Sequence, residues 1–152
     1  MTGYIIDAAT SADAECLAPR LRAADVEEIR AASGTTPAEA LHRAFGLSTH
    51  AWALRDTTGQ PLALWGVGPH SLLAGRGCPW LLAADAFEAF GPDIARLSRP
   101  FLAGMRELYP QLENRVDARH ARSVRWLSWL GFTIDPAMPW GVEGRAFHRF
   151  WI

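Results

Sequence analysis

The sequence lacks lysine and contains a single asparagine, Asn114. All 15 of its basic residues are arginines, and 16 acidic residues bring the net charge to −1. A codon bias towards arginine, alanine, glycine and proline is the simplest origin of this composition. Without lysine the chain can form no Schiff base and has no lysine for a phosphate-binding loop. The near-neutral charge also argues against binding of nucleic acid by bulk electrostatic attraction.

Cysteine and histidine are too few and too scattered to predict a metal site. The two cysteines, Cys16 and Cys78, form no CxxC pair, and the five histidines show no HxxxH spacing. We therefore expect neither a bound metal nor a disulfide framework. Two unpaired thiols suit a reducing compartment.

Long apolar runs, targeting signals and common catalytic motifs are also missing. No run approaches the ~20 residues that a membrane-spanning helix needs. The first ten residues carry Asp7 and no basic segment, so we expect no signal peptide. The sequence has no GxxxxGK(S/T), HExxH or GxSxG motif, which argues against the enzyme classes that use them.

Apolar and aromatic residues are abundant. Hydrophobic residues make up 49% of the chain, and seven residues are tryptophan. This composition is not that of a disordered chain. At this length one domain can bury about two-thirds of its unfolded surface. We therefore expect a single domain over residues 1–152.

Apolar spacing and turn residues predict alternating strands and helices. Strands are predicted at 3–8, 50–55, 61–68, 78–84, 112–117, 132–134 and 146–152. Helices are predicted at 11–33, 36–46, 91–109 and 118–130. We expect Ser11 to cap the first helix, Pro19 to break it and Pro100 to kink the third. The order predicts an α/β domain with a central mixed, mostly antiparallel sheet and helices on both faces.

The segment from His120 to Phe132 carries the clearest resemblance to a known family. It ends in Leu130-Gly131-Phe132, and with the order of elements it resembles the GNAT superfamily of acyl-CoA N-acyltransferases. In that superfamily the late helix carries an Asn, then a Tyr seven residues later, then Leu-Gly-Phe at the next strand. The resemblance implies a GNAT-like domain and, in its usual form, transfer of an acyl group from acyl-CoA to an amine.

Three further stretches resemble a narrower group, the small GNAT-like internal virion protein of T7-like short-tailed phages and its relatives in other tailed phages and prophages. They are 21–29, 61–66 and 122–127, the last being the most specific. This resemblance implies a protein of the virion or the host cytoplasm. Its expected partners are other virion proteins, such as portal, core or tail components, with self-association as an alternative.

Three positions that carry the superfamily's chemistry differ in this sequence. The pyrophosphate loop, (Q/R)xxGx(G/A), should follow the fourth strand, but residues 84–94 contain one glycine, three carboxylates and Pro92. Carboxylates repel a pyrophosphate, and proline lacks an N–H to bind it. The superfamily's Tyr, often the proton donor to the departing thiolate, falls at Leu127, and its Asn falls at His120. These departures predict a scaffold without acyltransfer and without a cofactor, with acetyl-CoA as the alternative.

Five residues are candidates for a site if the chemistry survives. Asp85 and Glu88 follow a buried strand, where the superfamily's amine-binding cleft opens, so they are candidate general bases. A solvated acidic loop is the alternative. His120, Ser123 and Arg122 lie within one helical turn and are candidates for binding the cofactor, including an anion such as the CoA 3′-phosphate. Capping of the helix is the alternative there.

Positive charge is concentrated towards the end of the chain. Residues 113–152 carry six arginines against four acidic residues, whereas residues 1–40 carry three against seven. Such asymmetry can serve assembly with another protein, and exposed Arg and Trp are common at interface hot spots. The candidates for contact with a partner are therefore Arg119, Arg125, Trp140 and Trp151. A solvated helix face with intrachain ion pairs is the alternative.

Hypotheses from three classes follow. The first is a phage-encoded, virion-associated accessory or structural protein on a GNAT-like scaffold that has lost acyltransfer. The second is an acyl-CoA-dependent N-acyltransferase acting on a host or phage amine. An inhibitor that binds a host protein through its Trp and Arg surface is the third.

Overall fold

A computed structural model describes residues 3–71 and 73–152 as a single α/β domain with strands β1 to β8 and helices α1 to α5. The strands are β1 (Ile5–Ala8), β2 (His50–Arg55), β3 (Pro61–Ser71), β4 (Arg76–Ala83), β5 (Gln111–Asp117), β6 (Thr133–Ile134), β7 (Met138–Trp140) and β8 (Arg145–Trp151). The helices are α1 (Ser11–Leu17), α2 (Ala23–Ser33), α3 (Pro37–Leu47), α4 (Gly91–Leu108) and α5 (Ala121–Leu130). Two short 3₁₀ helices, Ala18–Arg20 and Asp85–Phe90, precede α2 and α4.

The strands form one mixed sheet. Its order is β1-β2-β3-β4-β5-β8-β6, and β7 pairs with β8 beside this path. Every pairing is antiparallel except that of β4 with β5. The predicted fold class, a mixed and mostly antiparallel sheet with helices on both faces, is therefore confirmed.

Two apolar cores lie on opposite faces of the sheet. On one face α1, α2 and α3 bury Leu17, Ile29 and Leu41 against side chains of β2 and β3. On the other face α4 and α5 pack Met105 and Leu127 against the sheet. Burial of each such side chain contributes about 1.5–3 kcal/mol, so the two cores hold the helices to the sheet.

The helix starts follow local hydrogen bonding, and one prediction was wrong. Thr10, not Ser11, caps α1: its hydroxyl accepts from Asp13 N–H at 3.3 Å, and Asp13 Oδ2 accepts from Thr10 N–H at 2.8 Å. This reciprocal capping box places Ser11 inside the helix. Thr36 caps α3 as predicted by accepting from Glu39 N–H at 3.2 Å.

The later elements depart from the prediction at two places. Helix α5 begins at Ala121, because residues 118–120 form the turn that leaves β5. No strand was predicted at Met138–Trp140, which pairs with β8 as β7. Helix α4 is 18 residues long and contains Pro100, as predicted, and the kink expected there stays a prediction. In the ranges 3–71 and 73–152, no helix is both long enough and apolar enough to cross a membrane.

Candidate functional site

Strands β4 and β5 form an opening in the middle of the sheet. They pair only at their first residues, Arg76 with Gln111 and Gly77 with Leu112. Further along, the side chain of Asn114 bridges the gap, with its Nδ2 donating to Pro79 C=O at 2.8 Å. Because the ladder stops after two pairs, the backbone edges of both strands are left open to a ligand.

A cavity of about 330 Å³ lies at this opening and is lined from both faces of the sheet. On the face of α4 and α5 its walls are apolar. They include Leu81, Phe101, Leu102, Trp126, Leu127 and Leu130. On the face of α2 its walls include Arg22, Asp25, Glu28 and His120. The cavity therefore has an apolar side and a polar side that meet between the two strands.

Arg22 and Asp25 fix the polar side to the end of β4. Arg22 donates from Nε and Nη2 to the two carboxylate oxygens of Asp25, at 3.1 and 3.0 Å. Asp25 Oδ2 also accepts from Ala83 N–H at 2.9 Å, and Arg22 N–H donates to Ala83 C=O at 2.8 Å. Burial raises the pKa of Asp25, and the guanidinium of Arg22 opposes that rise. This pair anchors the start of α2 against the open edge of β4.

Glu28, His120 and Ser123 form a second polar group in the cavity wall. Glu28 Oε2 accepts from Asp117 N–H at 2.9 Å and lies 3.6 Å from His120 Nδ1. His120 Nε2 is 3.1 Å from Ser123 Oγ, which is hydrogen-bond distance. A carboxylate from α2 therefore meets the imidazole and hydroxyl at the start of α5, although 92 residues separate Glu28 from His120 in the sequence.

Two buried polar atoms in the cavity wall lack hydrogen-bond partners within residues 3–71 and 73–152. They are His120 Nδ1 and Trp126 Nε1. A buried donor without a partner costs about 1–3 kcal/mol, so native proteins rarely leave one unsatisfied without a functional reason. Both side chains belong to the lining of the same cavity, although the two nitrogen atoms themselves are buried.

Backbone groups of β4 add to these donors. Residues of a strand alternate between turning their N–H and C=O towards one neighbouring strand and towards the other. Ala83 turns its groups away from β3, towards Arg22 and Asp25, and Pro79 C=O turns towards Asn114. Leu81 lies midway between them, so its N–H and C=O point into the opening.

The start of α4 lacks the features of a simple anion-binding site at a helix N-terminus. Phe90 precedes the helix without a side-chain cap, and Pro92 removes one N–H from the first turn. The acidic 3₁₀ helix Asp85–Phe90 lies directly before it, and Glu88 accepts from Arg122 Nη1 at 2.8 Å. Arg22 Nη1 is 3.7 Å from the other oxygen of Glu88. Two distant arginines therefore supply positive charge that the local sequence lacks.

The predicted site residues are distributed unevenly around this cavity. His120 and Ser123 line it, whereas Asp85 and Glu88 do not. Arg122 is exposed at its edge and pairs with Glu88. The roles of all five stay predictions. Glu28 was not among the predicted site residues, although Arg22, Asp25 and Glu28 recur every three residues along the start of α2.

The residues predicted to contact a partner lie outside the cavity. Arg119 pairs with Asp117 at 2.7 Å, and Arg125 is exposed on α5. Trp140 and Trp151 are 38% and 39% exposed, so each buries most of its ring against its own chain. Their role in binding a partner stays a prediction.

Known proteins resemble this chain in structure but not in sequence. No protein-family model matches the chain, and neither does any curated protein sequence. Solved structures do match. A GCN5-related N-acetyltransferase from Kribbella flavida aligns with a TM-score of 0.68 at 18% identity, over 98% of this chain and 96% of its own. Ard1 from Thermoplasma volcanium aligns with a TM-score of 0.71 at 19% identity, over 98% and 96%.

The spermidine N-acetyltransferase of Vibrio cholerae, solved in complex with CoA and spermine, aligns with a TM-score of 0.70 at 12% identity. The alignment covers 98% of this chain and 94% of that one. The chain has the GNAT fold. At these identities the likeness shows the fold alone, and it confirms the resemblance at that level.

Two expectations from the sequence change at this point. The prediction that the protein uses no cofactor is wrong, since a GNAT-fold neighbour that aligns over nearly the whole chain was solved with CoA bound. That prediction relied on local charge and one missing loop, and it overlooked the opening between β4 and β5. The narrower resemblance to phage internal virion proteins finds no support among these neighbours.

Proposed function

We propose that this GNAT-fold protein is an acyl-CoA-dependent N-acyltransferase. The observation that carries the proposal is the cavity at the β4–β5 opening, with an apolar side, a polar side and two unpartnered buried polar atoms. A thioester fits the apolar side and an amine fits the polar side. The N-acetyltransferase neighbours support this assignment through their shared fold.

The residues present fit the thioester arm of acyl-CoA. Leu81 C=O at the opening matches an amide N–H of a pantetheine arm, which leaves Leu81 N–H for the acyl oxygen. Trp126 Nε1 is a further donor, and it has no partner among the described residues. The apolar walls exclude water, which strengthens every hydrogen bond that forms inside.

The phosphates of acyl-CoA need a different binding group here from the glycine-rich loop that is usual in the superfamily. Arg122 is exposed on α5 and already holds one carboxylate, that of Glu88. An arginine fork binds phosphate oxygens as it binds carboxylate oxygens. Arg122 is therefore proposed to bind the phosphates in place of the N–H groups of a glycine-rich loop.

Bound acyl-CoA would supply an activated acyl group on sulfur. Glu28 and His120 hold the amine at the polar side, and one of them takes its proton. Leu81 N–H donates to the acyl oxygen as negative charge develops on it. Ser123 Oγ supplies the proton to the departing sulfur that Leu127 cannot provide, and takes a proton back from His120 Nε2, which lies at hydrogen-bond distance.

A thiol-release assay with acetyl-CoA and a panel of primary amines tests this function. The panel contains a polyamine, free lysine and a peptide with a free N-terminus, which represent three classes of primary amine. We expect release of CoA that depends on the presence of at least one amine. If no amine raises release above the rate of spontaneous hydrolysis, the proposed function is wrong.

The virion-associated role remains a separate hypothesis, supported by sequence resemblance alone. It would place Arg119, Arg125, Trp140 and Trp151 against portal, core or tail proteins. Mass spectrometry of purified particles from a strain that encodes the protein tests it. A peptide yield at the level of known virion proteins would support the hypothesis, and clean absence from particles would refute it.

A further inference from the structure

The apolar side of the cavity extends well beyond the opening. Its lining reaches Ile6 on β1 and Leu54 on β2, two strands of the sheet that lie beyond β3 from the opening. On the helix side it reaches Leu97, Phe101 and Leu102 along α4. We call this extension the apolar chamber. It lies beside the place where Phe101 of α4 packs on Trp52 and Trp65 of the sheet, and Ser98 is the polar side chain of α4 in its lining.

The size of the cavity exceeds what an acetyl group would fill. An apolar cavity of about 150 Å³ binds a six-carbon ring such as benzene. The cavity here is about 330 Å³. On the same scale the whole cavity holds about 13 carbon-sized groups, and the thioester and the amine take some of them, so an acyl chain of medium length is the longest that fits.

We propose that the protein prefers acyl-CoA donors with medium-length acyl chains, of about four to eight carbons, and that the apolar chamber binds the chain. The proposal rests on the proposed function, whose thioester site lies at the opening. In the reaction the bond between acyl carbon and sulfur breaks and one between acyl carbon and amine nitrogen forms. The amine proton passes to His120, directly or through Glu28; the sulfur takes the hydroxyl proton of Ser123, and Ser123 Oγ takes a proton back from His120 Nε2.

The physical reason for the preference is burial of methylene groups. Each buried methylene contributes about 0.8 kcal/mol, which is close to a fourfold change in binding constant. The walls of the apolar chamber are apolar, so an acyl chain that enters it displaces no polar contact. Acetyl-CoA would leave the chamber empty, so its affinity reports only the thioester site.

The test is a calorimetric series with CoA and with acetyl-, butyryl-, hexanoyl-, octanoyl- and dodecanoyl-CoA. The proposal predicts that Kd falls about three- to fourfold per added methylene up to about eight carbons and then stops falling. Equal affinity for acetyl- and hexanoyl-CoA would overturn the proposal while leaving the proposed function intact. Absence of binding by CoA and every thioester would overturn both.

A chamber-filling variant makes the assignment specific. Leu97→Trp places a larger side chain in the chamber wall away from the opening, and Leu108→Trp is the matched control on an exposed turn of the same helix. Leu97→Trp should abolish the gain from butyryl- to octanoyl-CoA and leave acetyl-CoA binding within about twofold, whereas Leu108→Trp should leave the series unchanged. If Leu97→Trp does not fold, Leu97→Phe fills the chamber with a smaller ring. A long-chain preference that survives in a folded chamber-filling variant would overturn the proposal.

Discussion

Glu28 Oε2 accepts a hydrogen bond from Asp117 N–H and lies 3.6 Å from His120 Nδ1. The backbone bond holds the carboxylate at the end of β5, so its distance to the imidazole is set by the fold. His120 Nδ1 has no hydrogen-bond partner in the described parts of the chain. An amine bound beside Glu28 can pass its proton to the carboxylate and through it to the imidazole, which makes this pair the centre of the proposed proton transfer.

Replacement of Glu28 by glutamine tests that role. Gln can still accept from Asp117 N–H through its amide oxygen, but it cannot take a proton from an amine. We expect kcat to fall about 10²- to 10⁴-fold, the usual contribution of a general base, with little change in the KM for acetyl-CoA. Steady-state kinetics measure both constants.

Glu27→Gln is the matched control, because Glu27 is the adjacent exposed carboxylate on α2. Its kcat should equal that of the unchanged protein. If Glu28→Gln keeps full kcat while folding normally, Glu28 is not the base, and His120 or the predicted Asp85 and Glu88 become the residues to replace next.

Trp126→Phe separates ligand binding from folding. Trp126 Nε1 is buried without a partner in the described residues, so its loss breaks no hydrogen bond of the free protein. We expect the midpoint of urea unfolding to stay close to its original value. The Kd for acetyl-CoA should rise about 3- to 10-fold, the worth of one hydrogen bond to the ligand.

Trp129→Phe serves as the control for this change. Trp129 is exposed on the same helix and stacks under Arg99, at 4.3 Å from its ring centroid. Trp129→Phe should leave the Kd for acetyl-CoA unchanged. An unchanged Kd in Trp126→Phe, or a large loss of stability, would show that the indole N–H serves the fold and not the ligand.

Glu88→Gln discriminates between two roles of the acidic segment. If Glu88 only neutralises Arg122, its removal frees that arginine and deletes a charge that repels phosphate. We then expect acetyl-CoA to bind about two- to fivefold tighter, in line with the worth of an exposed ion pair. Acetyl-pantetheine, which has no phosphate, should bind with unchanged affinity. A collapse of kcat would instead identify Glu88 as the general base predicted from the sequence.

The lowered pKa of Glu113 predicts how the free energy of unfolding depends on pH. Arg149 donates to one of its oxygens at 2.6 Å and Arg76 to the other at 2.7 Å, and this lowers its pKa from 4.5 to about 2. A lowered carboxyl pKa stabilises the folded state above the unfolded pKa, and that stability is lost as pH falls from about 4.5 to about 2. The free energy of unfolding at neutral pH should therefore fall by about 1–2 kcal/mol in Glu113→Gln.

Urea unfolding at pH 7, 4.5 and 2.5 measures this effect. The difference between Glu113→Gln and the unchanged protein should change little from pH 7 to 4.5 and shrink clearly at pH 2.5, where Glu113 is protonated in the unfolded chain and partly protonated in the folded one. Glu107→Gln, an exposed change on α4, should show no difference at any pH. A difference that stays constant from pH 7 to 2.5 would contradict the assignment.

Much of the fold could be predicted from the sequence, because helix ends and strands are determined by local chemistry. Thr36-Pro37 and Gly34 mark the boundary between α2 and α3 in the sequence as in the structure. The cap of α1 was predicted one residue too late, at Ser11. Thr10 and Ser11 are both good caps, and only the hydrogen bonds between Thr10 and Asp13 decide which of them caps the helix. The short strand β7 was missed, because its Pro139 is typical of a turn and its pairing with β8 is a long-range choice.

The site was harder to predict, because its groups meet only in the folded chain. Arg22 reaches Glu88 across 66 residues, so the positive charge beside the acidic segment has no local signal. Glu28 is one of two neighbouring glutamates, and only the fold places it beside His120. The prediction of no cofactor failed for the same reason: it judged phosphate binding from residues 84–94 alone.

Calorimetric titration with acetyl-CoA tests most directly the claim that the β4–β5 opening binds an acyl thioester. The account predicts a single site with a Kd in the micromolar range, a binding free energy of about −8 kcal/mol. It also predicts weaker binding by Trp126→Phe and unchanged binding by Trp129→Phe. No detectable heat at millimolar acetyl-CoA, with a protein shown to be folded, would contradict it.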